Sequence, residues 1–223
     1  MCYSTGSRRS DSSRPRSVVV VTPPRVEPVT LSEAKEHLRI LPENAEDDAY
    51  VQGLISAGRR IIESRLGITM VATQYRAKVC GNAGRGCSCC CSDRGIQLPH
   101  PPLLVDADHP ITVETEDGEV MTYPPVERRS RRAAAPGPAF EVDPDQRPAV
   151  LIPRRGWRGP ATITYWAGLP PAAPQPATLK NALLLMVGHL YKHREAVTTD
   201  GSAFVLPMGF DALVAAESWS GRF

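Results

Sequence analysis

No stretch of this 223-residue sequence is apolar for long enough to cross a bilayer: the longest strongly apolar run, Ala182 to Val187, falls far short of the roughly 20 residues a spanning helix needs. A secretory h-region is also missing, because Val18–Val21 is short and sits among Arg, Ser and Pro. Charge of one sign is scarce overall: 26 Lys and Arg against 24 Asp and Glu leave a formal net charge of +2. So small a surplus does not dictate a nucleic-acid partner by bulk electrostatics. The catalytic signatures are absent as well. No GxxxxGK[ST] loop, HExxH helix, GxSxG elbow or Gly-rich turn after a strand can be found. The expectation is a cytoplasmic, non-enzymatic product with reduced thiols and no cofactor.

What the sequence has in excess is proline. Its 22 prolines are about twice the usual share of roughly 5%, so turns, extended arms and short capped elements are expected. At 42% hydrophobic residues the composition is that of a folded chain. Arginine clusters locally, at Arg8, Arg9, Arg14 and Arg16 and again at Arg128, Arg129, Arg131 and Arg132. Such clusters read as solvated loops or as contacts to an acidic surface or to phosphates.

Residues 1–28 read as an extended basic arm without apolar periodicity, ordered only against a neighbour if at all. Thr30-Leu31-Ser32-Glu33 is a capping-box pattern that opens a short helix through Arg39, stopped by Pro42. A second helix is expected over about 46–66. Glu46, Asp47 and Asp48 lie at its start, Arg59, Arg60 and Arg65 toward its end, and Val51, Leu54, Ile55, Gly58, Ile62 and Leu66 form one apolar stripe. Gly67 is the expected C-cap.

Residues 68–168 change character. Thr73–Val79 alternates, Ile96–Leu98 is short, and Ile111–Thr115 with Val120–Tyr123 reads as a hairpin turning at Asp117-Gly118. Ala149–Ile152 and Ala161–Trp166 are further strand candidates, and 124–148 reads as an Arg/Pro-rich loop. Helical periodicity returns over about 178–196, through Leu179, Leu183, Met186, Val187 and Leu190. A short amphipathic segment follows from Phe210 to Glu217. The expected fold is α+β and mainly helical: about three core helices plus a short C-terminal one, a small antiparallel β unit between the second and third helices, and extended arms. The division expected is an arm (1–28), N-terminal helices (29–67), a β unit (68–168) with a Cys-rich insert (80–95) and the loop 124–148, a core helix and loop (176–206), and a C-terminal segment (207–223).

One constellation could hold a metal. Cys80, Cys87, Cys89, Cys90 and Cys91 lie within twelve residues, in a glycine-rich context, and Cys87 and Cys90 have CxxC spacing. Tetrahedral zinc needs four converging ligands. A second separated CxxC pair is missing, so Cys80, Cys87 and Cys90 are weak candidates beside the alternative of an insert of free thiols. A zinc-dependent nucleic-acid or partner-binding module is the rival reading these residues keep open. His189 and His193, four apart on one helix, read as a polar face rather than a ligand pair.

The order of features resembles a known family. Thr30-Leu31-Ser32-Glu33-Ala34-Lys35-Glu36-His37-Leu38-Arg39 followed by Glu46-Asp47-Asp48 is similar to the opening signature of the head–tail connector (adaptor) proteins of tailed bacteriophages. The likeness resumes at Ile96-Gln97-Leu98-Pro99 with Pro101-Pro102, at Ala161–Gly168, and from Leu179 through His193-Arg194-Glu195. The basic arm, the cysteine insert and the Arg/Pro loop depart from it. At the tail, Trp219 and Arg222 stand where the family usually has a Tyr-Arg pair.

The resemblance implies a homo-oligomeric ring, commonly of twelve subunits, between the portal protein and the stopper or tail-completion protein. Double-stranded DNA would pass through its channel without sequence specificity. It implies a place in the virion neck, assembly in the host cytoplasm, and no membrane partner. Phe210, Leu213, Trp219, Arg222 and Phe223 suit a portal-docking role, and deletion of 207–223 is expected to leave a folded protein that no longer joins the portal.

Overall fold

The computed structural model describes residues 14–79, 95–123, 140–153, 160–194 and 208–217. Helix α1 (Leu31–Leu38) begins on the capping box: the Glu33 amide donates to Thr30 Oγ1 at 3.2 Å, and the Thr30 amide donates to Glu33 Oε2 at 2.8 Å. Two otherwise orphaned backbone donors are thereby satisfied. Arg39, left-handed at φ 59°, ends the helix.

Helix α2 (Asp48–Leu66) buries Val51, Ile55, Gly58, Arg59 and Ile62, spaced three and four apart, and Gly67 at φ 67° closes it. Helix α3 (Ala177–Lys192) buries Leu179, Ala182, Leu183, Met186 and Val187. It starts one residue earlier than expected, directly after Pro176, and ends four residues earlier. Gly58 lets α2 and α3 approach closely, since a Cβ there would lie 2.8 Å from Leu183 Cδ1 and 3.3 Å from Met186 Cγ. Helix α4 (Met208–Ala216) completes the helical core by inserting Phe210 and Val214, one turn apart.

Nine strands stand beside these four helices among the described residues: β1 (Ser17–Thr22), β2 (Thr73–Val79), β3 (Ile96–Leu98), β4 (Leu103–Leu104), β5 (Ile111–Thr115), β6 (Val120–Tyr123), β7 (Phe140–Asp143), β8 (Ala149–Pro153) and β9 (Ala161–Ala167). The larger sheet runs β1-β2-β9-β5-β6, with β4 also pairing β9; the smaller one is β3-β8-β7. The chain is therefore mixed α+β, and the expectation of a mainly helical fold is corrected. That expectation counted long periodic segments and underweighted strands of two to four residues, which carry little periodicity of their own.

Two strands arise where loop or arm was expected. β7 lies within the stretch read as the Arg/Pro loop. β1 lies within the basic arm and pairs antiparallel with β2, Val20 opposite Tyr75 and Ser17 opposite Lys78. Four consecutive valines are strong strand formers once a partner edge exists. The hairpin β5–β6 forms where it was expected, with Glu114 opposite Val120 and Ile111 opposite Tyr123 and Gly118 at φ 77° in its turn.

The described chain divides into two compact units, one built from residues up to Thr22, Gln74–Pro99 and Leu103–Trp166, the other from Pro23–Thr73, His100–Pro102 and residues from Ala167 onward. The first holds the sheets. Tyr75, Ala77, Ile111, Val113, Ile163 and Tyr165 are buried on one face of the larger sheet. Tyr75 and Tyr165 stack at 5.8 Å, and the Tyr165 hydroxyl donates to the Pro99 carbonyl at 2.9 Å. Burial pushes that phenol's pKa up.

The second unit holds the four helices. Beside them Val71 forms a parallel bridge with Leu169, and Gly168, at φ 99°, sits where a Cβ would lie 2.4 Å from the Val71 carbonyl oxygen.

Candidate interaction surfaces

Lys35 and Arg59, the two charged side chains buried among the helices, are already committed to partners. Lys35 is buried, and its Nζ donates to the carbonyls of Pro42 (3.0 Å) and Asn44 (2.7 Å) and to Asp48 Oδ1 (2.8 Å). An ammonium has three protons, and all three are used. The open groove of about 710 Å³ beside it, lined by Leu31, Arg39, Ile40, Leu41 and Pro42, thus takes no spare donor from Lys35. Arg59 Nε meets Glu27 Oε2 and its Nη1 meets Glu63 Oε2, each at 2.7 Å. Glu63 Oε1 in turn accepts the Met70 amide at 2.9 Å. Burial pushes the Glu63 carboxyl up, against the Met70 hydrogen bond and the Arg59 charge that pull it down. This network ties the approach to α1, the middle of α2 and the segment after it. It holds structure rather than doing chemistry.

At the start of α2, next to Asp48, Asp47 accepts from the Tyr191 hydroxyl (2.5 Å) and pairs with Arg194 (3.0 Å). The Arg194 guanidinium lies over the rings of Tyr50 (4.7 Å) and Tyr191 (4.9 Å). The Tyr191 hydrogen bond, with Arg194, holds the Asp47 carboxyl below its ordinary range.

Among the described residues no group of three or more His, Cys, Asp or Glu is placed to hold a metal ion. Cys80, Cys87 and Cys90 lie outside the described residues. The His189 and His193 rings are 4.8 Å apart; burial and then the neighbouring His193 keep His189 below the usual imidazole range.

The five residues expected to dock divide sharply. Phe210 is fully buried in the helical core, and Leu213 is half-buried against it. Trp219, Arg222 and Phe223 lie outside the described residues. Phe210 is therefore a core residue and not an exposed anchor. Its helix is fastened further by the Arg65–Asp211 pair at 2.8 Å, by Arg65 over the Phe210 ring at 5.6 Å and by the hydrogen bond from the Thr178 hydroxyl to Glu217. Removal of residues 207–223 would therefore take Phe210 and Val214 out of the helical core.

Exposed apolar side chains occur in both units, Leu41, Ile61 and Tyr50 among them in the helical one. Val19 and Val20 on β1 are 53% and 54% exposed, and Val120 on β6 is 62% exposed. These mark the two margins of the larger sheet. Val18–Val21 is too short for a leader segment, and its four β-branched residues in a row are the signal that finds a strand there.

With this geometry the chain is a small α+β protein without an evident reaction centre among its described residues, and comparison with known proteins gives it relatives. Residues 28–86 match the family model described as phage gp6-like head-tail connector protein, spanning α1, α2 and β2. A chain from the neck of an empty gene transfer agent particle, computed with C6 symmetry, matches at a TM-score of 0.63 and 19% identity, covering 90% of this chain and 94% of that one. A chain from the virion of a native gene transfer agent particle matches at 0.61 and 20%, covering 89% and 93%. A third, from the neck of a native particle computed with C12 symmetry, matches at 0.56 and 20%, covering 90% and 93%. No curated protein matches. The resemblance read from the Thr30–Arg39 signature is thus shown: the chain carries the connector family's pattern at 28–86, and nearly its whole length takes the fold found in those particles.

Proposed function

We propose that the chain is a non-enzymatic structural subunit of the neck of a tailed-phage-type particle, a ring that docks on the portal and joins the DNA-filled head to the stopper or tail. The observation that carries this reading is the connector-family pattern at 28–86 within a fold shared along about nine-tenths of its length with a gene transfer agent neck chain. A ring of twelve copies is compatible with both the C6 and the C12 symmetry of the matched necks, and closed rings are what repeated heterologous contacts build. Double-stranded DNA would pass through such a ring without sequence readout.

In this reading the C-terminal segment divides its labour. Phe210 and Leu213 hold α4 on the core, while Trp219, Arg222 and Phe223 beyond it make the portal contact. The test is a truncation that starts after the helix. Removing residues 218–223 is expected to leave the melting temperature unchanged and abolish co-sedimentation with the cognate portal. Undiminished portal binding by that truncation would overturn the docking assignment.

A further inference from the structure

Among the described residues the larger sheet is open at β1 and at β6, and the charged side chains nearest those two margins are of opposite sign. On the β1–β2 side Arg16, Arg76 and Lys78 are exposed, and neither strand contains an acidic residue. On the β5–β6 side Glu114, Glu116, Asp117 and Glu119 are exposed, and neither strand contains a basic one. β9 lies between β2 and β5, so these groups sit at opposite ends of one sheet.

Both margins are also apolar at the rim. Residues directly opposite across a strand pair share a face. Val19 is opposite Arg76, on the outer face, and Val20 is opposite buried Tyr75, on the core face. Val20 nevertheless remains 54% exposed, so the core face is uncovered where it reaches β1. A valine-rich outer strand with both faces open offers its unpaired backbone edge to another strand, a liability that soluble proteins normally blunt with charge or proline on the strand itself. β1 has neither. At the far rim Val120 is the most exposed apolar residue of the hairpin.

We infer that the occupant of the β1 edge is a second copy of this chain, which presents its β5–β6 hairpin edge; the inference rests on the ring proposed above. Joining β1 to β1, or β6 to β6, would set like charges together. Joining β1 of one copy to β6 of the next sets Arg76 and Lys78 toward Glu114, Glu116 and Glu119, and covers Val19, Val20 and Val120. This contact is heterologous, so it propagates from copy to copy and can close into a ring. Single exposed charge pairs contribute little, but oppositely charged margins select the partner and speed encounter, while the valines supply the burial.

Charge reversal tests this directly, because the four altered side chains are exposed and outside the core. Full-length Arg76→Glu/Lys78→Glu and full-length Glu116→Lys/Glu119→Lys are compared with the natural chain by native mass spectrometry and sedimentation, alone and with portal. Each variant alone should lose assembly at least tenfold, with an unshifted melting temperature. An equimolar mixture of the two, or one chain carrying all four changes, should assemble again. Variants that assemble as well as the natural chain, or a mixture and a fourfold variant that both stay apart, overturn the edge pairing and leave the ring reading standing. A natural chain that stays monomeric at every concentration, with and without portal, overturns the ring reading and this contact with it.

Discussion

Phe210→Ala is the most informative single substitution, because it separates a core role for α4 from a docking role. Phe210 is fully buried with Val214, Leu183 and Met186 in the helical core. Truncating a buried phenylalanine removes its transfer free energy and leaves a cavity, about 3–5 kcal/mol together. Loss of the Arg65 guanidinium contact on the ring, at 5.6 Å, adds about 0.5–1 kcal/mol. Against a stability of about 5–15 kcal/mol for a typical folded protein, that is a large fraction. Asp211→Ala on the same helix breaks only the Arg65 pair, whose side chains are 45% and 55% exposed, and should cost about 1 kcal/mol or less. The assay is urea unfolding followed by circular dichroism at protein concentrations too low for assembly. The Phe210→Ala midpoint should fall several times further than the Asp211→Ala midpoint, at constant m. If the two variants unfold together, within about 1 kcal/mol of the natural chain, then α4 is not part of the core, and residues 207–223 are a free segment after all.

Other changes follow from the same geometry. Gly168→Ala places a methyl 2.4 Å from the Val71 oxygen at φ 99° and should destabilise by about 2 kcal/mol or more; Gly67→Ala, at φ 67° with nothing within 4 Å, should cost only about 1 kcal/mol, a contrast a pair of thermal melts resolves. Arg59→Ala leaves Glu27 and Glu63 facing each other without their cation and should cost about 3–5 kcal/mol; equal melting temperatures would show the network to be dispensable. Asp47 has a folded pKa held below its ordinary 3.8 by Tyr191 and Arg194, so its contribution is present above that value and lost as pH falls through the lowered one. The melting-temperature gap between the natural chain and Asp47→Asn should therefore be full at neutral pH and close on acidification below about 3.8; a gap that is flat across the acid range refutes the assignment.

The helices were legible because several local signals agreed at each. Thr30 and Glu33 fix the start of α1 by a reciprocal bond, Gly67 fixes the end of α2, and the stripes of α2 and α3 repeat long enough to be counted. The hairpin was legible through Asp117-Gly118. The strands that were missed carry little signal of their own. β1 exists because β2, more than fifty residues on, supplies its edge; β7 pairs the nearby β8, but at four residues it is too short for a period to announce it. The docking set fared unevenly for a related reason. An apolar residue on a short terminal helix has the same appearance in sequence whether it faces a partner or its own core, and Phe210 faces its own core. The oppositely charged sheet margins were not legible at all, since Arg76 and Glu116 share a sheet only through β9.

Electron microscopy of the purified full-length chain, alone and mixed with its cognate portal, tests the neck assignment most directly. The expected image is a closed ring seated coaxially on the portal, with a central opening wide enough for duplex DNA. Portal particles that stay bare while the chain remains dispersed beside them would contradict it.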